Sequence, residues 1–250
     1  MATPDLSAVV PAYQERGEIA ATLRGLHAAL DALDVTHEII VVDNASTDGT
    51  AEEVERLGDP RVRLLRNPRN LGKGASVRRG MLEATGPLRL HCDADCAPSL
   101  AALPRMLALA GSYDVVVGSR LASGAVVARR QPLRRRIFGR TFGTLCRLAL
   151  REPTRDLFCG FKLWRAGAAE AVFRATALTG WTYDAETLAM ARALGFRLTE
   201  TGIPWADRPG SRLSMLRVIV PVTRELLEAR RRVAAARVAP APLPDLVEAA

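Results

Sequence analysis

Residues 38–49 read EIIVVDNASTDG, an unbroken apolar run that ends at Asp43 and is followed by turn-forming residues. Such a run is typical of a strand buried on both faces of a parallel sheet. Similar runs lie at 6–10, 61–65, 88–92 and 113–120, and helical patterns separate them at 18–33, 50–57 and up to Ala84. This alternation predicts an α/β domain with a mostly parallel central sheet flanked by helices.

The length and composition of the chain fit one domain. It has 250 residues, of which 48% are hydrophobic, and it shows no internal repeat or long linker. We predict a single domain over residues 1–235 and a flexible tail rich in Ala and Pro over 236–250. No apolar stretch approaches the roughly 20 residues that a spanning helix needs, and no signal peptide is visible. The sequence therefore predicts a cytoplasmic protein.

The formal charge of +8 favours anionic partners such as nucleotides, phosphates or lipid headgroups. Nearly all basic residues are arginines, because the only lysines are Lys73 and Lys162. Aromatic residues make up only 5% of the chain, which argues against a nucleic-acid-binding module. The four cysteines form no CxxC pair, so we expect reduced thiols and neither a zinc site nor a disulfide framework.

The sharpest chemical feature is the DAD sequence at residues 93–95, directly after a predicted strand. Two carboxylates two residues apart, Asp93 and Asp95, can share a divalent cation with a diphosphate. Oxygen ligands in an incomplete protein cage suit Mg²⁺ or Mn²⁺. The alternative is a pair of solvated turn carboxylates, since short motifs of this kind often arise by chance.

Longer motifs surround the DAD sequence in a fixed order. They are PAYQE at 11–15, VDNAS at 42–46 and NLGKG at 70–74 in the first half, then DLFCGFKL at 156–163, GWTYDAE at 180–186 and GSRL at 210–213. Together they resemble family 2 glycosyltransferases of the GT-A fold, over residues 7–232. The motifs of the second half are similar to those of dolichyl-phosphate glucosyltransferases and match the mannosyltransferases less well.

The resemblance implies a nucleotide-sugar site. The residues expected to bind the donor and its cation are Pro11, Tyr13, Glu15, Asp43, Lys73, Asp93, Ala94 and Asp95. Of these, Asp93 and Asp95 are the expected metal ligands. Asn44 departs from the family pattern, because it replaces the second Asp of the usual pair. His91 ends a strand that is usually apolar, and we expect it to be buried and neutral.

The same resemblance places basic residues around the reacting phosphates. They are Arg120, Arg134, Arg135 and Arg212, the last standing where relatives have Lys. A phosphate acceptor needs no strong general base. A hydroxyl acceptor would need one, with Asp156 as the first candidate and Asp184 or Glu186 behind it; each of these could instead serve structure.

The expected reaction is inverting, metal-dependent transfer of a hexose from a nucleotide sugar, UDP-glucose first, to polyprenyl phosphate. Two alternatives stay open: a soluble acceptor in a natural-product or cell-surface polysaccharide pathway, and mannosyl transfer from GDP-mannose. The Arg-rich segment 129–136 could be a solvated face, or could rest on the inner face of an anionic membrane. In the second case Phe138 and Phe142 of the adjoining helix would enter the lipid.

Overall fold

The structure, a computed structural model, describes residues 3–129, 133–180, 182–206 and 219–238. Side chains are described throughout these ranges except at 98, 129, 133–135, 219–222 and 238. In chain order the elements are β1 (Leu6–Ala12), α1 (Ile19–Asp31), β2 (His37–Asp43), α2 (Thr50–Arg56), β3 (Val62–Arg66), α3 (Lys73–Glu83), β4 (Leu88–Cys92), a 3₁₀ helix (Ala97–Ala102), α4 (Leu103–Ala110), β5 (Val115–Ser119), β6 (Val126–Arg129), α5 (Leu133–Leu150), β7 (Phe161–Arg165), α6 (Ala166–Ala175), α7 (Tyr183–Ala193), β8 (Leu198–Gly202), β9 (Pro204–Ala206) and α8 (Ile219–Val238).

Seven strands form one central sheet in the order β3-β2-β1-β4-β7-β5-β8. All neighbouring pairs are parallel except the two made by β7, which runs antiparallel between β4 and β5. β6 and β9 form a separate two-stranded parallel ribbon. The predicted α/β class, with a mostly parallel sheet flanked by helices, is confirmed.

The apolar strands are buried on both faces, which explains why their sequences do not alternate. In β1, Val9 belongs to a core with α3, α6 and α7, whereas Ala8 and Val10 belong to a second core with α1 and α4. Each fully buried aliphatic side chain contributes about 1.5–3 kcal/mol. The four cysteines are free and buried in these cores.

The last helix, α8, packs against α5 and α7. It ends at Val238, so the first three residues of the expected tail 236–250 are helical, and the other twelve lie outside the described residues.

One local prediction differs from the structure. The pattern of Thr50 and Glu53 suggests a capping box, but Gly49 is the capping residue and Thr50 is already helical. The Thr50 hydroxyl instead donates to Asp48 Oδ1 and accepts the N–H of Glu15. The side chain therefore joins α2 to the segment that follows β1.

Candidate active site

Three predicted site residues lie at the carboxyl ends of neighbouring strands. Asp43 ends β2, Tyr13 follows β1, and Asp93 follows β4, with β1 in the middle. Two strand spacings separate Asp43 from Asp93, a distance of about 10 Å. In open α/β sheets, ligands bind beyond this edge.

Hydrogen bonds tie the segment after β1 to the loop after β2. The N–H of Gln14, whose φ is 59°, donates to Ser46 Oγ at 3.0 Å, and the N–H of Glu15 donates to Thr50 Oγ1 at 2.9 Å. The Asp43 carboxylate accepts the N–H of Ser46. Tyr13 is 48% exposed at this edge. The segment is thus held in place while its side chains border the cleft.

Asn44 secures the next loop. Its Oδ1 accepts from Asn67 Nδ2 at 3.0 Å and from the N–H of Leu71 at 2.9 Å, and its Nδ2 donates to Asn70 Oδ1 at 2.8 Å. A carboxylate at this position could not donate the last of these bonds. The departure from the family pattern at residue 44 therefore has a structural use, namely to position the loop that leads into α3.

Two glycines set the start of α3 against the segment that precedes α7. A Cβ on Gly72, whose φ is +91°, would overlap Thr179 O, and one on Gly74 would lie 2.6 Å from Leu178 O and 2.7 Å from Tyr183 Cβ. The N–H of Gly74 donates to Thr179 O at 2.9 Å. This close packing directs Lys73 into the site, where its Nζ lies 2.7 Å from Asp93 Oδ2.

Asp93 is a charged carboxylate in a largely buried setting. Burial would raise its pKa, but the Lys73 ammonium and His91 together outweigh that effect and hold the pKa well below the usual range. Burial also lowers the pKa of His91, whose Nε2 lies 3.4 Å from Asp93 Oδ1. The expectation of a buried His91 is confirmed, and its neighbours are Asp93 and the hydroxyl of Tyr183.

Gly160, at the start of β7, packs directly against Asp93. The Asp93 N–H donates to Gly160 O at 2.9 Å, and a Cβ on Gly160 would overlap the Asp93 carboxyl group. The glycine of the CGFK motif is therefore required by this close approach. The motif was recognised in the sequence, but its contact with the DAD segment depends on the antiparallel insertion of β7.

We expect Gly160→Ala to lower kcat/KM of the reaction that the resemblance implies about 100-fold, because the new methyl group displaces the Asp93 carboxylate. The matched control is Gly167→Ala in α6, where a Cβ meets nothing within 4 Å. Steady-state kinetics of both variants check this prediction. Equal activity of Gly160→Ala and wild type would contradict the requirement for glycine.

Arg120 and Asp156 form a tight pair after β5. Arg120 Nε and its backbone N–H both donate to Asp156 Oδ2 at 2.8 Å, and its NH2 donates to Oδ1 at 2.7 Å. The guanidinium also lies 5.3 Å from the ring centroid of Trp205. Burial would lower the pKa of Arg120, but Asp156 and, more weakly, Asp93 raise it. The pair thus lies within electrostatic reach of the DAD segment.

Sequence reasoning missed a second ion pair behind the site. Lys162 in β7 bonds Asp184 at the start of α7, and their side chains are 1% and 6% exposed. Glu186 is also buried, where it accepts the N–H of Leu178 and pairs with Arg232. Both acids therefore have structural partners in the core. Four consecutive residues of β7 are buried, Lys162 among them, and its burial was not predicted because the strand was recognised only as part of a motif.

The donor set fits a divalent cation that also takes ligands from a substrate. Asp93 Oδ1 is buried without a hydrogen-bond partner, and Asp95 is exposed two residues away. Over the described ranges, no group of three His, Cys, Asp or Glu residues could hold a metal ion by itself. An incomplete set of hard oxygen ligands is the arrangement that Mg²⁺ and Mn²⁺ accept.

The structure describes the other predicted arginines only in part. Arg134 and Arg135 lie in the first turn of α5, and their side chains are outside the described set. Arg212 lies in the segment 207–218, which is outside the described residues. Among the described helices, none is long and apolar enough to cross a membrane.

Curated relatives align with most of the chain. A dolichyl-phosphate beta-glucosyltransferase of Trichomonas vaginalis, ALG5C, is 34% identical over 221 residues, covering 83% of this chain and 65% of that protein. This chain thus spans less than two thirds of that relative's length. A dolichyl-phosphate beta-glucosyltransferase of Dictyostelium discoideum is 30% identical, covering 91% of this chain and 74% of that protein.

The fold is similar to that of a solved enzyme. Glucosyl-3-phosphoglycerate synthase from Mycobacterium tuberculosis, in complex with Mn²⁺, UDP-glucose and phosphoglyceric acid, has a TM-score of 0.61 and 16% identity, covering 97% of this chain and 81% of that one. The family model described as glycosyl transferase family 2 matches residues 7–173. Because that match spans more than half of the chain, the protein belongs to glycosyl transferase family 2.

Proposed function

We propose that the protein transfers glucose from UDP-glucose to a polyprenyl phosphate with the help of Mg²⁺ or Mn²⁺. The observation that carries this proposal is the carboxylate pair Asp93 and Asp95 at the carboxyl edge of the sheet, with Lys73 in contact and Arg120 in electrostatic reach. The relatives named above support the sugar and the lipid phosphate. The Mn²⁺ and UDP-glucose in the M. tuberculosis enzyme support the donor and the metal.

The nucleoside would lie over the ends of β1 and β2. Pro11 and Asp43 would form the floor of this subsite, and Tyr13 and Glu15 would line it from the segment between β1 and α1, which is tethered to Thr50. Because that segment is already held by Ser46 and Thr50, little order has to be gained when the donor binds. Ala94 is buried next to the carboxylates, so its backbone borders the diphosphate.

Asp93 and Asp95 would hold the cation together with oxygens of the donor diphosphate. When bound, the cation supplies a Lewis acid that neutralises the negative charge developing on the leaving diphosphate. Asp93 is ready for this role, since its low pKa keeps the carboxylate ionised. The acceptor would attack from the opposite side of the sugar ring, so an α-linked donor would give a β-linked product.

The acceptor phosphate would be bound by arginines. Arg120 is preorganised by both oxygens of Asp156 and by the face of Trp205, which leaves part of its guanidinium to bind an anion. Arg134 and Arg135 belong to the first turn of α5, where the helix dipole also favours an anion. Arg212, which the resemblance places with them, lies outside the described residues.

A phosphate acceptor is a nucleophile at neutral pH, so Asp156 would act by orienting Arg120. A hydroxyl acceptor would require a general base, and Asp156 would then have to exchange its guanidinium partner for the acceptor proton. The bidentate pairing favours the phosphate acceptor, because both carboxylate oxygens of Asp156 already accept from Arg120.

The test is transfer of radiolabelled sugar from UDP-glucose or GDP-mannose to dolichyl phosphate, with Mg²⁺ or with EDTA. We expect label in the organic phase only with UDP-glucose and the metal. Label from GDP-mannose would point to the mannosyl alternative. Label only in a soluble acceptor, such as phosphoglyceric acid, would point to the soluble alternative, and transfer unaffected by EDTA would overturn the metal requirement.

We also propose that α5 contacts an anionic membrane surface. Ile137, Leu145 and Leu148 are exposed along it, and the helix carries arginines but no acidic residue. Phe142, one of the two rings expected to enter the lipid, instead stacks between Phe138 and Phe158 at centroid distances of 6.0 and 5.1 Å.

We expect Leu148→Glu to reduce the fraction of protein that floats with phosphatidylglycerol vesicles, because Leu148 is 73% exposed and the new charge repels the lipid. Ala21→Glu adds the same charge on α1, on the opposite face of the sheet, and should leave flotation unchanged. Equal flotation of Leu148→Glu and wild type would exclude α5 as the contact.

A further inference from the structure

The sequence contains two lysines, and the structure brings both to the candidate active site. Lys162 pairs with Asp184 in the core, and this pair is almost completely shielded from solvent. Lys73 pairs with Asp93, and their side chains are 27% and 29% exposed. The first pair is therefore a permanent part of the fold, whereas the second lies open to whatever enters the cleft.

We propose that Lys73 is a built-in counter-ion of Asp93, which the divalent cation must displace and which then pairs with the donor diphosphate. This inference rests on the proposed function, because it assumes a cation at the DAD segment. It adds a coupling between the cation, Lys73 and the donor.

The divalent cation and the Lys73 ammonium would compete for the Asp93 carboxylate. Lys73 Nζ occupies Oδ2 at 2.7 Å, while Oδ1 is buried without a hydrogen bond and has His91 Nε2 at 3.4 Å. A divalent cation that binds this carboxylate would lie next to a positive ammonium group. Like charges at such short range repel strongly, so binding of the cation and release of the ammonium are coupled.

The backbone around Lys73 is held in place, so only the lysine side chain can move when a cation binds. Gly72 and Gly74 pack against Leu178, Thr179 and Tyr183 so closely that the start of α3 cannot shift without disturbing α7. The side chain of Lys73, by contrast, has four rotatable bonds and a solvent-exposed path. Displacement therefore moves the ammonium over a fixed Cα, within the cleft.

Charge balance indicates where the ammonium goes. Asp93, Asp95 and Asp184 face Lys73 and Lys162, which leaves one negative charge among these five groups. A divalent cation reverses that excess, and the diphosphate then brings the negative charge that the released ammonium can bind. The site is therefore poorly matched to the cation alone and better matched to the cation with its nucleotide.

The experiment uses protein labelled with ¹⁵N at the lysine side chains, which gives one Nζ resonance for Lys73 and one for Lys162. We expect saturation with Mg²⁺ to shift the Lys73 resonance and UDP to shift it again, while the Lys162 resonance stays in place as the internal reference. Lys73→Met assigns the signals. An unshifted Lys73 resonance at saturating Mg²⁺ would overturn the inference.

Binding affinities give a second readout that does not use transfer activity. Without nucleotide, Lys73→Met should bind Mn²⁺ at least fivefold more tightly than wild type, and in the presence of Mn²⁺ it should bind UDP about tenfold more weakly. Arg69→Met removes the same charge from an exposed position in the preceding loop and should do neither. Circular dichroism checks that the variants are folded.

The Mn²⁺ affinities distinguish a failure of this inference from a failure of the proposed function. Equal Mn²⁺ affinity in Lys73→Met and wild type would overturn the counter-ion role while leaving the proposed transfer intact. Absence of Mn²⁺ binding in every variant, with or without UDP, would overturn both the inference and the metal requirement of the proposed function.

Discussion

Asp95→Asn is expected to lower kcat/KM for metal-dependent sugar transfer by about 10³-fold, which corresponds to about 4 kcal/mol of transition-state stabilisation. The substitution keeps the size of the side chain and removes the negative charge that the cation needs. Because Asp95 is exposed, the fold should not change. The measurement is the initial rate of label transfer at several donor concentrations, compared with the urea unfolding curve of the same variant.

The matched control for Asp95→Asn is Asp34→Asn. Asp34 is also exposed, and its φ of 52° is one that asparagine adopts readily. It precedes β2, at the end of the sheet away from the cleft. Equal rates for Asp95→Asn and Asp34→Asn would contradict a cation role for the DAD segment.

Lys162→Met is expected to destabilise the protein by about 3–5 kcal/mol, because it leaves the Asp184 carboxylate buried without its ammonium partner. The double variant Lys162→Met with Asp184→Leu should recover most of that loss, since it removes both charges and fills the same space with apolar groups. Urea unfolding monitored by circular dichroism gives the three free energies.

An exposed ion pair provides the comparison for Lys162. Arg224 and Glu228 are one helical turn apart in α8, and Arg224→Met should cost less than about 0.5 kcal/mol. A loss of similar size for Lys162→Met would contradict the view that the buried pair holds β7 against α7.

The strands of the first half were predictable because each is buried on both faces and ends at a polar residue. β2 and β4 lie where the sequence indicates, and each delivers its aspartate, Asp43 and Asp93, to the same edge. The helices between them follow from the periodicity of their apolar residues, as in α1.

The position of β7 was not predictable from local pattern. Residues 161–165 read FKLWR, with charged residues at the second and last positions, and nothing local indicates that this strand enters the sheet antiparallel between β4 and β5. That topology is what brings Gly160 against Asp93 and Lys162 against Asp184. Long-range pairing decided this part of the site.

The pairing of charged side chains could also not be predicted from the sequence. Lys73 and Asp93 were each expected at the donor site, but their direct pairing depends on how α3 packs against the segment before α7. Arg120 and Asp156 were expected there with separate roles, and their bidentate contact joins those roles. The roles of Arg134, Arg135 and Arg212 stay predictions.

Metal-dependent binding of UDP-glucose at the DAD segment is tested most directly by calorimetric titration. UDP-glucose is titrated into the wild-type protein and into Asp95→Asn, each with Mn²⁺ or with EDTA. GDP-mannose serves as the competing donor. We expect UDP-glucose to bind the wild-type protein only with Mn²⁺ and GDP-mannose to bind much more weakly. Mn²⁺ should not change the affinity of Asp95→Asn for UDP-glucose. Binding of UDP-glucose that is equally tight in EDTA and in Asp95→Asn would contradict this expectation.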